Sequence, residues 1–367
     1  LVGSEMCIRD RLIVPYYSVI GGWVVKYLFE YIRGNGSKLA EDGYFSGFIS
    51  NGGATELCFV IFCMVTLVII YAGVQNGIER VSKIMMPILI VLSVIIAIYS
   101  VTRPGAIEGV KYFLVPNVKN FSWMTVVAAM GQMFYSLSIA MGILVTFGSY
   151  MRKDTSIEDS TRNVEIFDTA IAMMAGLMII PAVFAFSGGD PDTLQAGPSL
   201  MFITIPKVFA NMGFGTAVGI LFFVLVLFAA VTSSIALTES AVSTFEDELG
   251  WGRKKATVLT GVIMIALGTL SCLGYGPLDF VKIIGMQFLD FFDFLTNSVM
   301  MPIAALMTSL LVSRVIGVDK IEEEIRHGES AFRRKKIFVI MIKYLCPIFA
   351  LIILASSVAN AFGWISM

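Results

Sequence analysis

Apolar runs long enough to cross a bilayer recur along almost the whole chain, and they limit its fold more than any single motif does. A transmembrane helix needs about 20 predominantly apolar residues. Such runs occupy residues 12–32, 56–76, 84–102, 123–150, 164–187, 214–244, 255–274, 286–313 and 337–360. The expected fold class is therefore an all-α polytopic membrane protein of about nine spans. Composition agrees: 57% of residues are hydrophobic and 14% charged, where a soluble domain carries about 25% charged residues. The stretch 199–213 has too few apolar residues to cross and reads as a short surface helix.

Other classes are excluded on the same grounds. With 26 basic and 27 acidic residues, the chain lacks the positive footprint that nucleic-acid binding needs. Its five cysteines show neither metal-binding nor disulfide spacing, and Cys58 and Cys63 read as apolar helix residues. The single histidine, His327, lies in a charged connector, so no histidine-based metal or acid–base site is expected, and no enzyme. Residues 1–11, LVGSEMCIRDR, lack the basic start and apolar core of a signal peptide. They read as translated sequencing-adapter sequence, or else as a short cytosolic tail.

Positive charge orients the spans. Seventeen Arg and Lys fall on one set of alternating ends and seven on the other. The connectors 77–83, 151–163, 247–255 and 314–336 are thus expected in the cytoplasm, and the first visible span runs outward.

Three spans carry polar groups that a lipid-facing helix has no use for, because such groups are costly in hydrocarbon unless satisfied. GQMFYSLSIAMG (131–142) places two glycines and two serines inside an apolar run. Ser136 and Ser138 are two apart and cannot share one helical face. The stretch is either a broken helix lining a cavity or a small-residue packing seam built on Gly131 and Gly142. In FAAVTSSIALTES (228–240), Ala229, Thr232, Ser233 and Leu237 form a small, polar stripe. Its hydroxyls suit a hard cation, or bond back to the preceding turn. Asp168, several residues into its span, is either a cation ligand or the partner of a loop Arg or Lys. Asp290 and Asp293 stand at the outer end of the eighth span as vestibule charges or as water-facing residues. In PYYSVIGGW (15–23), the proline opens or bends the helix and Gly21–Gly22 permit close packing. The tyrosine hydroxyls there want partners, either a substrate carboxylate or an ordinary packed interface.

Together, PYYSVIGGW (15–23), GIERVSKIMMPILI (77–90), GQMFYSLSIAMGILVTFGSY (131–150), VEIFDTAIAMMAGLMIIPAVFAF (164–186), FFVLVLFAAVTSSIAL (222–237) and LDFFDFLTN (289–297) resemble the neurotransmitter:sodium symporter family, in particular its prokaryotic amino-acid-transporting branch. The resemblance implies two inverted five-helix repeats with substrate and Na⁺ near the midplane. Residues 12–102 would form an incomplete first repeat lacking the first two family helices, 123–313 the second repeat and 337–360 an additional helix. By the same resemblance, Ile13, Tyr17, Tyr135, Ser138, Met141, Ser233 and Leu237 would contact substrate, with Tyr17 on its carboxylate. Ser136 and Asp168 would hold one sodium, and the Ala229 carbonyl with Thr232 and Ser233 a second. Asp293 would be the acidic half of an outer gate whose arginine lies upstream.

The implied function is sodium-coupled symport of a small amino acid or related amine across the cell membrane by alternating access. No cofactor is needed beyond the coupling ion. A carboxylate at 168, where the family commonly has Asn, implies chloride independence. The alternatives are a transporter of the same fold for another small solute or osmolyte, and a non-transporting membrane scaffold or fragment. Partners beyond the small-molecule substrate, Na⁺ and lipid are not indicated, and oligomeric state is left open.

Overall fold

A computed structural model describes residues 2–118, 121–190, 194, 197–328 and 331–364, with side chains from residue 8 onward. Eight helices among the described residues are long and apolar enough to cross a membrane. They are Ile8–Ile32, Gly52–Tyr71, Val74–Val101, Ile157–Ser187, Gly215–Leu249, Arg253–Leu273, Phe288–Ile316 and Lys335–Ala361. The remaining expected span, 123–150, is the pair Trp123–Ser136 and Gly142–Ser149, separated by five non-helical residues. The stretch expected at the surface holds the short apolar helix Leu200–Ala210.

We number the helices used below as α1 (Val2–Ile32), α2 (Gly52–Tyr71), α3 (Arg80–Val101), α4 (Trp123–Ser136), α5 (Gly142–Ser149), α6 (Ile157–Ser187), α7 (Gly215–Leu249), α8 (Arg253–Leu273) and α9 (Phe288–Asp293). α1 is the centre of the packing and lies against α7, α2 and α8. It runs unbroken through Pro15, and residues 8–11 continue it as helix with Arg9 and Asp10 buried. A proline inside a membrane helix is tolerated where neighbouring groups satisfy the freed backbone. Helix ends overshoot the apolar runs where a cap is at hand. The Ser156 hydroxyl accepts from the Asp159 amide at 3.1 Å, so α6 begins in charged sequence seven residues before the expected span.

Small residues let these helices approach one another. A Cβ on Gly22 would lie 2.7 Å from the Phe59 backbone nitrogen, and one on Gly268 would lie 2.2 Å from the Phe59 ring. Across this seam Ser18 donates to the Met264 sulfur at 3.7 Å, and Thr66 Oγ1 lies 3.2 Å from Ser234 Oγ. Toward the C-terminal end of α1, Trp23 and Tyr27 pack edge-on against Phe202, and the Tyr27 hydroxyl donates to the Phe202 carbonyl at 2.8 Å. These contacts hold the short helix Leu200–Ala210 over the bundle. Outward faces carry bare apolar side chains such as Val91, Ile98, Val262 and Leu351, each more than half exposed. A patch of that extent suits lipid and not water.

Gly22→Ala forces a Cβ against backbone that cannot swing aside, so it should destabilise the protein by about 1–3 kcal/mol. Gly131→Ala, with nothing within 4 Å of the added atom, should not. Thermal unfolding in detergent reads the difference; equal midpoints for the two variants would contradict this packing.

Candidate functional site

The break between α4 and α5 has a local cause. Ser138 and Ala140 both adopt left-handed backbone, with φ of 54° and 60°. Non-glycine residues rarely do so, and such strain persists only where the surroundings impose it. The Ile139 amide bonds the Phe134 carbonyl at 2.9 Å and the Ser138 amide bonds the Tyr135 carbonyl at 3.1 Å. That pair of bonds is a Schellman motif with Ser138 in the position glycine usually takes, and it ends α4. On the far side, the Gly142 amide that opens α5 donates to Asp10 Oδ2 at 2.9 Å, and the Ser240 hydroxyl donates to the same oxygen at 2.6 Å. A carboxylate is electrostatically favoured at a helix N-terminus. The Ala140 carbonyl takes an Arg9 guanidinium proton at 2.8 Å. Of the two glycines proposed for a packing seam, Gly142 sits tightly against Ser240, while Gly131 faces open space.

The broken segment lines a cavity of about 410 Å³. α1 contributes Ile13 and Tyr17, and α7 contributes Thr232, Ser233, Ala236 and Leu237. From the broken segment and its flanks come Gln132, Tyr135, Ser136, Ser138, Met141 and Ile143, and Met86 comes from α3. Nine of these residues are expected from the sequence, and Met86, Gln132, Ile143 and Ala236 are not. Gln132 stands one turn before Ser136 on α4, a spacing that could have flagged it. Met86 and Ile143 lie in uniformly apolar sequence and carry no such signal.

Two groups of oxygens flank the cavity. The Ser136 hydroxyl donates to Asp168 Oδ1 at 2.6 Å, joining α4 to α6. Among the described residues no arginine or lysine pairs with Asp168; Arg334 goes to Glu165 instead, at 3.1 Å. On α7, the Thr232 hydroxyl donates to the Phe228 and Ala229 carbonyls, each at 3.0 Å. This is the back-bonding that the sequence left open, and it leaves the hydroxyl lone pairs available. Ala229 itself does not line the cavity. Among the described residues no three His, Cys, Asp or Glu side chains stand close enough to share a metal ion. A cation here would depend on hydroxyl and carbonyl oxygens with a single carboxylate, a donor set for a hard ion.

Asp293 lies apart from the cavity wall, at the end of α9, where its Oδ1 accepts from Asn297 Nδ2 at 2.7 Å. Asp290, one turn earlier, accepts from the Tyr275 hydroxyl at 2.9 Å. At the Arg-rich end, Glu239 is fully buried on α7. It accepts from Arg253 at 2.6 and 3.0 Å and from the Tyr150 hydroxyl at 2.7 Å. Arg253 also donates to the Ile70 carbonyl at 2.9 Å, so this cluster ties α2, α5, α7 and α8 together.

A family model described as the sodium:neurotransmitter symporter family matches residues 43–363. The chain belongs to this family. It is 36% identical over 333 residues to an uncharacterized sodium-dependent transporter, YhdH, of Bacillus subtilis, covering 90% of this chain and 72% of that protein. An uncharacterized sodium-dependent transporter of Haemophilus influenzae is 32% identical over 354 residues, covering 94% and 76% of the two chains. The crystal structure of MhsT in complex with L-phenylalanine superposes with a TM-score of 0.84 at 35% identity, covering 97% of this chain and 80% of that one. The symporter fold expected from the motifs is thus the fold observed, and the chain is a sodium-dependent transporter with several membrane-spanning helices.

Removing the guanidinium from the Glu239 cluster leaves a buried carboxylate without its counter-charge. Arg253→Met should therefore lower stability by about 3 kcal/mol, the lower end for a broken buried pair because Arg253 keeps some exposure. A denaturation midpoint unchanged by Arg253→Met would show that Glu239 does not depend on this partner.

Proposed function

We propose that the protein couples the inward movement of Na⁺ across the cell membrane to uptake of an amino acid or related amine, without chloride. The observation that carries this reading is the convergence of a broken helix, a hydroxyl stripe and the Ser136–Asp168 pair on one cavity. Tyr17 offers its hydroxyl to a substrate carboxylate. Ile13, Tyr135, Met141 and Leu237 supply a largely apolar wall for the side chain, and Ser138 and Ser233 supply polar contacts. Met141 is flexible and polarizable, so the wall adapts to side chains of different shape. The phenylalanine bound to MhsT supports an amino acid as cargo.

One sodium is assigned to Ser136 and Asp168, where the carboxylate neutralises the ion and removes the need for an anion. A second is assigned to the Ala229 carbonyl with the Thr232 and Ser233 hydroxyls. Sodium and substrate then stabilise one loaded state, and the free energy each adds to the other's binding is reciprocal. Asp293 is assigned to an outer gate that closes over the loaded cavity. Alternating access follows when the cavity reopens inward, with no covalent step.

In proteoliposomes, an inward sodium gradient should drive accumulation of one or more labelled amino acids, and replacing chloride should not slow it. Uptake of equal size in potassium medium would refute the coupling; accumulation of an osmolyte with no amino acid would move the cargo to another class. Asp168→Asn should weaken sodium dependence by about ten- to a hundredfold in chloride-free medium. Chloride should restore part of that loss. A variant whose uptake ignores chloride would count against the charge role.

A further inference from the structure

Asp293 does not stand alone. Its Oδ1 accepts from Asn297 Nδ2 at 2.7 Å, and the same amide nitrogen donates to the Tyr16 hydroxyl at 3.1 Å. Tyr16 Oη lies 3.1 Å from Thr296 Oγ1. The Thr296 hydroxyl donates to the Phe292 carbonyl at 2.8 Å and to the Asp293 carbonyl at 3.3 Å, which leaves the Tyr16 proton for Thr296 Oγ1 or for the Asp293 carboxylate that it also reaches. Asn297 thus donates to both Asp293 and Tyr16, and the Tyr16 and Thr296 hydroxyls complete a buried polar group beside the carboxylate. Thr296 is buried completely and Tyr16 is 2% exposed, while Asn297 is half-buried.

These contacts determine which way the Asn297 amide faces. Its Oδ1 is buried without a hydrogen-bond partner, an arrangement that costs free energy and needs a reason. Flipping the amide would set that oxygen against the Asp293 carboxylate. The backbone takes part as well. Residues Phe294–Met300 form a π-helical segment, wider than an α-helix, as several other short segments among the described residues do. It presents the adjacent residues Thr296 and Asn297 to the same tyrosine on α1.

We propose that Asn297 and Tyr16 are positioning residues for the Asp293 carboxylate, holding its plane so that it can meet a cationic group when the outer passage closes. The inference rests on Asp293 acting as the acidic half of that gate. Tyr16 neighbours the cavity residue Tyr17 on α1, which places the gate's support on the helix that also lines the cavity. Neither positioning residue touches the cavity.

The test is the rate at which purified transporter in sodium buffer loses a pre-bound tritiated mixture of L-amino acids. Asp293→Asn should speed the loss about tenfold, and Asn297→Ala by a similar factor, since a hydrogen bond to a charged group is removed in each case. Tyr16→Phe keeps the buried ring and should speed the loss less, so it reports on the polar group even where Asn297→Ala folds poorly. In the Asp293→Asn background, adding Asn297→Ala should change the rate no further, because the two act as one unit. A merely structural role predicts the opposite: the two effects multiply and the melting midpoint falls in step with them. That result, or an Asn297→Ala rate equal to wild type beside a fast Asp293→Asn, overturns the positioning role while leaving the gate intact. An Asp293→Asn rate equal to wild type overturns the gate and the positioning role together. Wild-type protein that retains no amino acid removes the occluded state on which both depend.

Discussion

Backbone groups that leave a helix at membrane depth have to find partners inside the protein. That constraint organises everything around residues 137–141. The helix α4 can end there because a Schellman motif closes its last turn, with Ser138 bearing the left-handed strain. Where α5 begins, the Gly142 amide donates to Asp10 and the Ala140 carbonyl accepts from Arg9, two side chains that lie within residues 1–11. Once the helix is interrupted, two serines that no regular helix could aim together serve one region. Ser136 reaches Asp168 on α6 and Ser138 faces the cavity.

The rest of the architecture holds that interruption in place. α1 packs along α7, where Ser240 donates to Asp10, while Ser18 of α1 reaches Met264 of α8 and Thr66 of α2 meets Ser234 of α7. The inward positions of α1 and α7 supply the hydroxyl stripe and the tyrosine. At the Arg-rich end, the Glu239 cluster fastens four helices below the cavity, while at the other end Asp293 is held by Asn297, which also donates to Tyr16 of α1. The cavity therefore lies between two polar clusters, each anchored on a helix that also contributes to its wall.

The spans were legible because hydrocarbon demands long apolar runs, and the break was legible as a glycine- and serine-rich interruption of one of them. Boundaries were less so: α6 starts at residue 157 and not 164, because a serine cap stabilises helix in charged sequence beyond the apolar stretch. The contact between Ser136 and Asp168 joins residues 32 apart in sequence, so spacing could nominate each but not pair them; the family resemblance did that. Met86 and Ile143 were invisible, since an apolar residue lining a cavity reads like one facing lipid until the neighbouring helices are placed. Glu239 escaped notice for a related reason. It follows a hydroxyl-rich stripe near a span's end, and Arg253 had been read only as an orienting charge. The hydrogen bonds from Asn297 to Asp293 and Tyr16 likewise depend on a π-helical segment that no residue pattern announces.

The central claim is that one cavity binds sodium and an amino acid as a thermodynamically coupled pair. The most direct measurement is equilibrium binding of a labelled amino acid to purified protein across a sodium titration, together with sodium affinity measured across an amino-acid titration. The account predicts that each species tightens the other by the same factor, and that substitution of potassium abolishes the effect. Amino-acid affinity that is unchanged between sodium and potassium would contradict it.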